Sequence, residues 1–91
     1  MQKLSPEEIC ERVDKLEGWH IDKEAIKKEW QFAGFKEAVQ FINKVADLAE
    51  EQDHHPEIFN VYNKVSLRYS THDAGGITER DFKAAAAVNK I

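Results

Sequence analysis

The sequence predicts an α+β fold, a four-stranded antiparallel sheet with three helices packed on one face, from three observations. Hydrophobic periodicity alternates between 3.6 and 2 along the chain. Each of the two alternating stretches is divided by a short turn, and two of the helical stretches open on a capping box. The resulting order is helix-strand-strand-helix-strand-strand-helix, and periodicity leaves the order of strands within the sheet open.

The first helix is read from Ser5 to Glu17. Ser5 is placed as N-cap, Pro6 at the first helical position and Glu8 at the reciprocal capping-box position, with Leu4 and Ile9 placed as a hydrophobic staple. Ile9, Val13 and Leu16 then recur at helical spacing, and Gly18 stands where a left-handed C-cap is expected. Trp19 and Ile21 alternate with polar neighbours. After Asp22-Lys23-Glu24, Ile26, Lys28, Trp30 and Phe32 take the phase opposite to Lys27, Glu29 and Gln31, which reads as a hairpin.

From Phe35 the period lengthens, and Phe35, Ala38, Val39, Ile42, Val45, Ala46 and Ala49 form the expected apolar stripe of a long central helix. It is expected to stop before His54-His55-Pro56, because the residue preceding a proline is pushed out of the helical region. Phe59 and Val61, then Val65, Leu67 and Tyr69, alternate on either side of Tyr62-Asn63-Lys64, which predicts a second hairpin with its tight turn at Asn63. Gly75-Gly76 breaks the chain. Thr78 then caps a last helix with Asp81 at the capping-box position and Ile77 and Phe82 as a staple, and Ala84 to Ala87 continue it. The alanine run permits close approach of a second subunit.

Composition excludes several classes of function. The 91 residues suffice for one hydrophobic core, so one domain is expected over residues 1–91. A domain of this size buries only about two thirds of the surface its unfolded chain exposes, which makes self-association plausible. Thirteen Lys and Arg against 17 Asp and Glu give a net charge of -4, the wrong sign for neutralising phosphates, so no direct nucleic-acid binding is expected. The single cysteine, Cys10, excludes an intramolecular disulfide and fits a reducing compartment. The first residues lack an apolar signal core, and no stretch approaches the roughly 18 apolar residues of a membrane span. A cytoplasmic protein without membrane contact is the expectation.

The residues suited to chemistry lie at element ends. His54 and His55 terminate the central helix and His72 follows the last strand, so a sheet edge under that helix end can bring all three together. Glu50, Asp53, Asp73 and Asp81 are the acids nearby. Imidazole titrates near about pH 6.5 and exchanges protons in both directions at neutral pH. His20 is read as structural. No metal site is expected, since there is no His-Glu-x-x-His, no second cysteine, and adjacent histidines on an extended chain point to opposite sides. Trp19, Trp30, Phe41 and Phe59 are read as core or interface.

The run Glu50-Glu51-Gln52-Asp53-His54-His55-Pro56-Glu57, continued by Phe59-Asn60-Val61-Tyr62-Asn63-Lys64-Val65, by Ser70-Thr71-His72-Asp73 and by Glu79-Arg80-Asp81, resembles the pterin-4a-carbinolamine dehydratase family in order and spacing. The resemblance covers nearly the whole chain and is weakest in the first helix. It implies an α+β sandwich, assembly as a homodimer or homotetramer, and loss of water from 4a-hydroxytetrahydrobiopterin to give quinonoid dihydropterin, with no metal or redox cofactor. Carried over residue by residue, it implies His54 and His72 as general acids on opposite sides of the pterin. His55 binds or orients the pterin or acts as base, and Asp81 is an acid close to the site. Pro56 and Thr71, His72, Asp73 and Ala74 are implied to line the pocket, while Glu50 and Asp53 set histidine orientation. Ile58 stands where several members carry tryptophan. The alternative reading is a non-catalytic dimerisation or protein-binding module of the same fold.

Overall fold

Local chemistry commits the chain to its elements, and the computed structural model, which describes residues 2–91, shows where each one stops. Ser5 accepts from the Glu8 backbone N–H and Glu8 accepts from that of Ser5, closing the capping box at the start of α1 (Pro6–Asp14). The helix ends three residues before the Glu17 expected for it. Lys15 is the C-cap, and Gly18, at φ +84°, turns the chain after the helix rather than capping it. A side chain there would meet Lys28, whose Cε lies 2.6 Å from the ideal Cβ position.

β1 (His20–Asp22) and β2 (Ala25–Gln31) form the first hairpin around Lys23, and α2 (Phe35–Gln52) follows. β3 (Glu57–Val61) and β4 (Lys64–Tyr69) form the second hairpin, then a 3₁₀ turn (His72–Ala74) leads to α3 (Glu79–Val88). All pairings are antiparallel, and the strand order is β1-β2-β4-β3. The two hairpins therefore join along β2 and β4, with Trp30 opposite Val65 and Lys28 opposite Leu67. In the β3–β4 turn the left-handed residue is Tyr62, at φ +50°, not Asn63. Asn63 instead ties the turn to the end of β2: its side chain donates to the Phe32 carbonyl and its own carbonyl accepts from the Phe32 N–H.

One face of the sheet carries the core. Ile26, Val65, Leu67 and Tyr69 pack with Ala38, Phe41 and Val45 of α2 and with Phe82, Ala84, Ala85 and Val88 of α3, while Ile9 and Val13 of α1 lie against the same cluster. All three helices thus cover one face, as expected. The α2 stripe is rotated from its predicted position, with Phe35 and Ala46 exposed and Phe41 buried, its ring 4.7 Å from Trp30 and 5.1 Å from Phe32. Two aromatic partners on the sheet outweigh the periodicity of smaller side chains. Ala84 and Ala85 of the alanine run are buried within this chain, whereas Ala86 and Ala87 are half-buried.

The other face is open. Phe59 and Val61 pair with Ser66 and Lys64, share their side of the sheet, and are exposed, so the alternation of β3 places these two away from this chain's core, while Ile58, opposite Leu67, takes the other side. Arg68 on that face donates to Asp22 of β1 and to Glu57 of β3, bridging strands across β4. No helix among the described residues is long and apolar enough to cross a membrane.

Candidate active site

The site is built at the C-terminal end of α2, where the helix stops in a way that aims two adjacent histidines differently. Asp53 adopts φ +51°, ψ +44°, a left-handed conformation that aspartate tolerates better than most residues. The Asp53 N–H then bonds the Glu50 carbonyl and the His54 N–H bonds the Ala49 carbonyl, the paired pattern of a Schellman ending. The His54 backbone is thereby pinned under the helix end. His54 is 8% exposed, whereas the His55 side chain is 57% exposed.

The two imidazoles have separate carboxylate partners. His54 Nε2 lies 2.6 Å from Asp81 Oδ1, and His55 Nε2 lies 2.6 Å from Glu50 Oε2. Asp81 is fully buried, an arrangement that stands only because its oxygens are fully engaged. Oδ2 accepts from the Thr78 backbone N–H at 2.8 Å and from the Thr71 hydroxyl at 2.9 Å. The capping residue read from the sequence is thus also the group that holds His54. The Tyr69 ring stacks on the His54 ring, with centroids 5.6 Å apart and planes 20° from parallel. Burial away from water, reinforced by the nearby Asp81 charge, pushes the Tyr69 phenol up to about 12.

His54, His55 and His72 line one cavity of about 280 Å³, together with Asp53, Ser70, Thr71, Asp73 and Arg80. The expectation that the sheet end and the helix end bring the three histidines to one place is met. His72 and Asp73 open the 3₁₀ turn and are exposed, and Thr71 is held below them by a backbone bridge to Gly76. Pro56 leads from His55 into β3, and Ala74 closes the 3₁₀ turn; neither side chain lines the cavity. Glu50 reaches the site through His55 alone. Among the described residues, no three His, Cys, Asp or Glu side chains converge closely enough to hold a metal ion.

Arg80, Ser70, Tyr69 and Thr78 were not legible as site residues. Arg80 lines the cavity and its guanidinium donates to the Asp53 carbonyl, joining α3 to the left-handed end of α2. The available signals were its position beside Asp81 in the first turn of a capped helix and its place in the run Glu79-Arg80-Asp81 that carries part of the resemblance. A larger groove, about 590 Å³, lies on the open face of the sheet beside Phe59, Val61 and Lys64, without a histidine in its lining.

Fold and cavity together define a class, a small α+β domain whose pocket is lined by imidazoles and carboxylates suited to moving protons. Comparison with known proteins places it more narrowly. Residues 2–91 match the family model described as pterin 4 alpha carbinolamine dehydratase. A relative from Sulfolobus acidocaldarius, named "Putative pterin-4-alpha-carbinolamine dehydratase", is 44% identical over 89 residues, covering 98% of each chain. One of the same name from Paraburkholderia xenovorans is 45% identical over 93 residues, covering 100% of this chain and 97% of its own. A crystal structure from Brucella melitensis, described as a transcriptional coactivator/pterin dehydratase, superposes with a TM-score of 0.92 at 40% identity, covering 98% of this chain and 97% of that one. The chain belongs to the pterin 4 alpha carbinolamine dehydratase family.

Proposed function

We propose that the protein is a 4a-hydroxytetrahydrobiopterin dehydratase that works by histidine general acid/base catalysis, as a cytoplasmic enzyme of tetrahydrobiopterin recycling. The observation that carries this reading is the meeting of His54, His55 and His72 in one cavity. Eliminating water from the 4a-hydroxypterin removes the proton from ring N5, forms the C4a–N5 double bond and releases the C4a hydroxyl as water. One group must accept a proton and another must supply one, and imidazoles serve both needs near neutral pH. His54 and His72 take the acid role on opposite sides of the pterin, and His55 orients the ring or accepts the N5 proton. Asp81 and Glu50 hold the two paired imidazoles, Asp53 supports the helix end, and Thr71 and Asp73 border the substrate. Neither a metal nor a redox cofactor takes part in the scheme.

The test couples the protein to a phenylalanine hydroxylase that generates the 4a-hydroxypterin, whose ultraviolet decay is then followed. The folded protein accelerates the decay, and His54→Ala and His72→Ala each reduce turnover by about 10- to 10,000-fold. No acceleration, or wild-type turnover from both variants, overturns the assignment.

A second reading, a protein-binding module, draws on a different observation. The outer strand β3 presents Ile58, Phe59 and Val61 to solvent, with Phe59 65% exposed, and its free edge is a template for another strand. The description of the Brucella melitensis protein as a coactivator is in keeping with binding to a partner. We assign this surface first to a second copy of the chain, in a homodimer or homotetramer, which is compatible with the enzyme. No direct nucleic-acid or membrane partner is proposed.

A further inference from the structure

The scheme uses Thr71 only as a border of the substrate and Thr78 not at all, yet both carry buried hydroxyls. Thr71 and Thr78 are both buried, and their Oγ1 atoms lie 2.7 Å apart. A threonine hydroxyl has one hydrogen to give. That of Thr71 goes to Asp81 Oδ2, since a carboxylate only accepts, so the hydrogen between the two hydroxyls must come from Thr78. Thr78 Oγ1 in turn accepts from the Arg80 backbone N–H at 3.2 Å. The donors therefore run in one direction, from Arg80 N–H through Thr78 and Thr71 to Asp81.

Helix capping explains only part of this chain. A capping box needs the hydroxyl of Thr78 and the carboxylate of Asp81. It has no use for Thr71, which lies ahead of the 3₁₀ turn and whose backbone is held by Gly76. The extra hydroxyl joins the loop that bears His72 to the carboxylate that holds His54. With the Thr78 N–H and the Thr71 hydroxyl both on Oδ2, the carboxylate cannot rotate without breaking two bonds, and Oδ1 is left facing His54 Nε2.

We infer that Thr71 and Thr78 are positioning residues, whose directed hydroxyl chain locks Asp81 so that His54 keeps one proton on Nε2 when neutral and takes up and delivers the second, the one it gives as an acid, at Nδ1. The kinetic consequence rests on the dehydratase reading above, whereas the tautomer does not.

The test therefore has two independent readouts. Long-range ¹⁵N–¹H correlation on the wild-type protein, at a pH where His54 is neutral, shows Nε2 protonated and Nδ1 bare. Thr71→Val removes the hydroxyl at nearly constant shape. With only the Thr78 N–H left to hold it, Asp81 turns away from His54 in part of the molecules, which then carry the Nδ1-protonated tautomer, and kcat falls ~10-fold with KM within about twofold, as expected when a proton-transfer group loses its orientation. Thr71→Ser restores both readouts. An Nδ1-protonated His54 in the wild type overturns the inference. So does a folded T71V protein with unchanged tautomer and kcat, or a T71S variant as impaired as T71V, which shows that the methyl packing matters rather than the hydroxyl. Should T71V not fold, the wild-type tautomer and T71S still decide. Should no form of the protein turn over the pterin, the dehydratase reading fails, and the ¹⁵N spectra of wild type and variants still decide on the hydroxyl chain.

Discussion

Asp81 is the residue whose replacement separates a structural cap from a member of the site. In Asp81→Ala three buried donors lose their acceptor: the Thr78 N–H, the Thr71 hydroxyl and the His54 ring N–H. Thr71 cannot turn its hydrogen to Thr78 Oγ1, 2.7 Å away, without displacing the hydrogen that Thr78 donates, so three donors stay unsatisfied. At about 1–3 kcal/mol for each buried orphan, the loss is roughly 6 kcal/mol. A domain of this length has only about 5–14 kcal/mol in total, so D81A unfolds at markedly lower urea and sits near the limit of folding. Asp81→Asn differs. Its amide oxygen can keep the two donors at the Oδ2 position, but its NH₂ then faces His54, which relieves the clash of donors by moving its proton from Nε2 to Nδ1. D81N is therefore expected to lose only about 1–2 kcal/mol, the difference between charge-assisted and neutral hydrogen bonds, while its turnover falls by about 100- to 10,000-fold. Urea denaturation monitored by tryptophan fluorescence, together with the coupled pterin assay, measures both. A D81A protein within 1 kcal/mol of wild type, or D81N with wild-type turnover, refutes the claim that this carboxylate holds His54.

Other perturbations follow from the same structure. Tyr69 keeps its proton to about pH 12 when folded, whereas an unfolded tyrosine loses it near about 10, so the folded state binds more protons in that window. Stability falls as pH rises from 10 to 12, by about 3 kcal/mol in all, and Tyr69→Phe abolishes that fall at little cost, since the buried hydroxyl has no hydrogen-bond partner among the described residues; alkaline urea titrations check it. Asp22 is held below the usual carboxylate range chiefly by its hydrogen bond from Arg68. Its contribution is present above the unfolded pKa and disappears as pH falls through the folded one, so Arg68→Met flattens the acid limb of the stability curve. Phe59→Asp lowers the molar mass seen by light scattering if a second copy covers the open face, and an unchanged mass removes that assignment.

Much of the fold was legible because its signals are local. Ser5 with Glu8, and Thr78 with Asp81, announce two helix starts within four residues each, and both capping boxes are present. The phase change at Phe35 and the alternation of Val65, Leu67 and Tyr69 identify a helix and a buried strand through their periods alone. The histidines, too, were legible as residues at element ends. What was misread depends on partners distant in sequence. Phe41 displaces Phe35 and Ala46 from the buried stripe because Trp30 and Phe32 receive it. Phe59 and Val61 alternate as a core strand should, yet an edge strand can spend that pattern on the open side of the sheet.

By itself the sequence determined the order of elements, the capping boxes and the presence of three loop-borne histidines, since each is set by interactions within a few residues or by side-chain chemistry. Only the tertiary structure decided the strand order β1-β2-β4-β3, the face on which Phe59 lies, and the pairing of His54 with Asp81 across 27 positions of chain. The physical reason is the same in each case. A local hydrogen bond or a hydrophobic period is a property of a segment, whereas a buried charge is stable only where several segments converge to satisfy it. Ala49, Thr71 and Thr78, the groups that orient the site, become recognisable once α2, β4 and α3 have packed together.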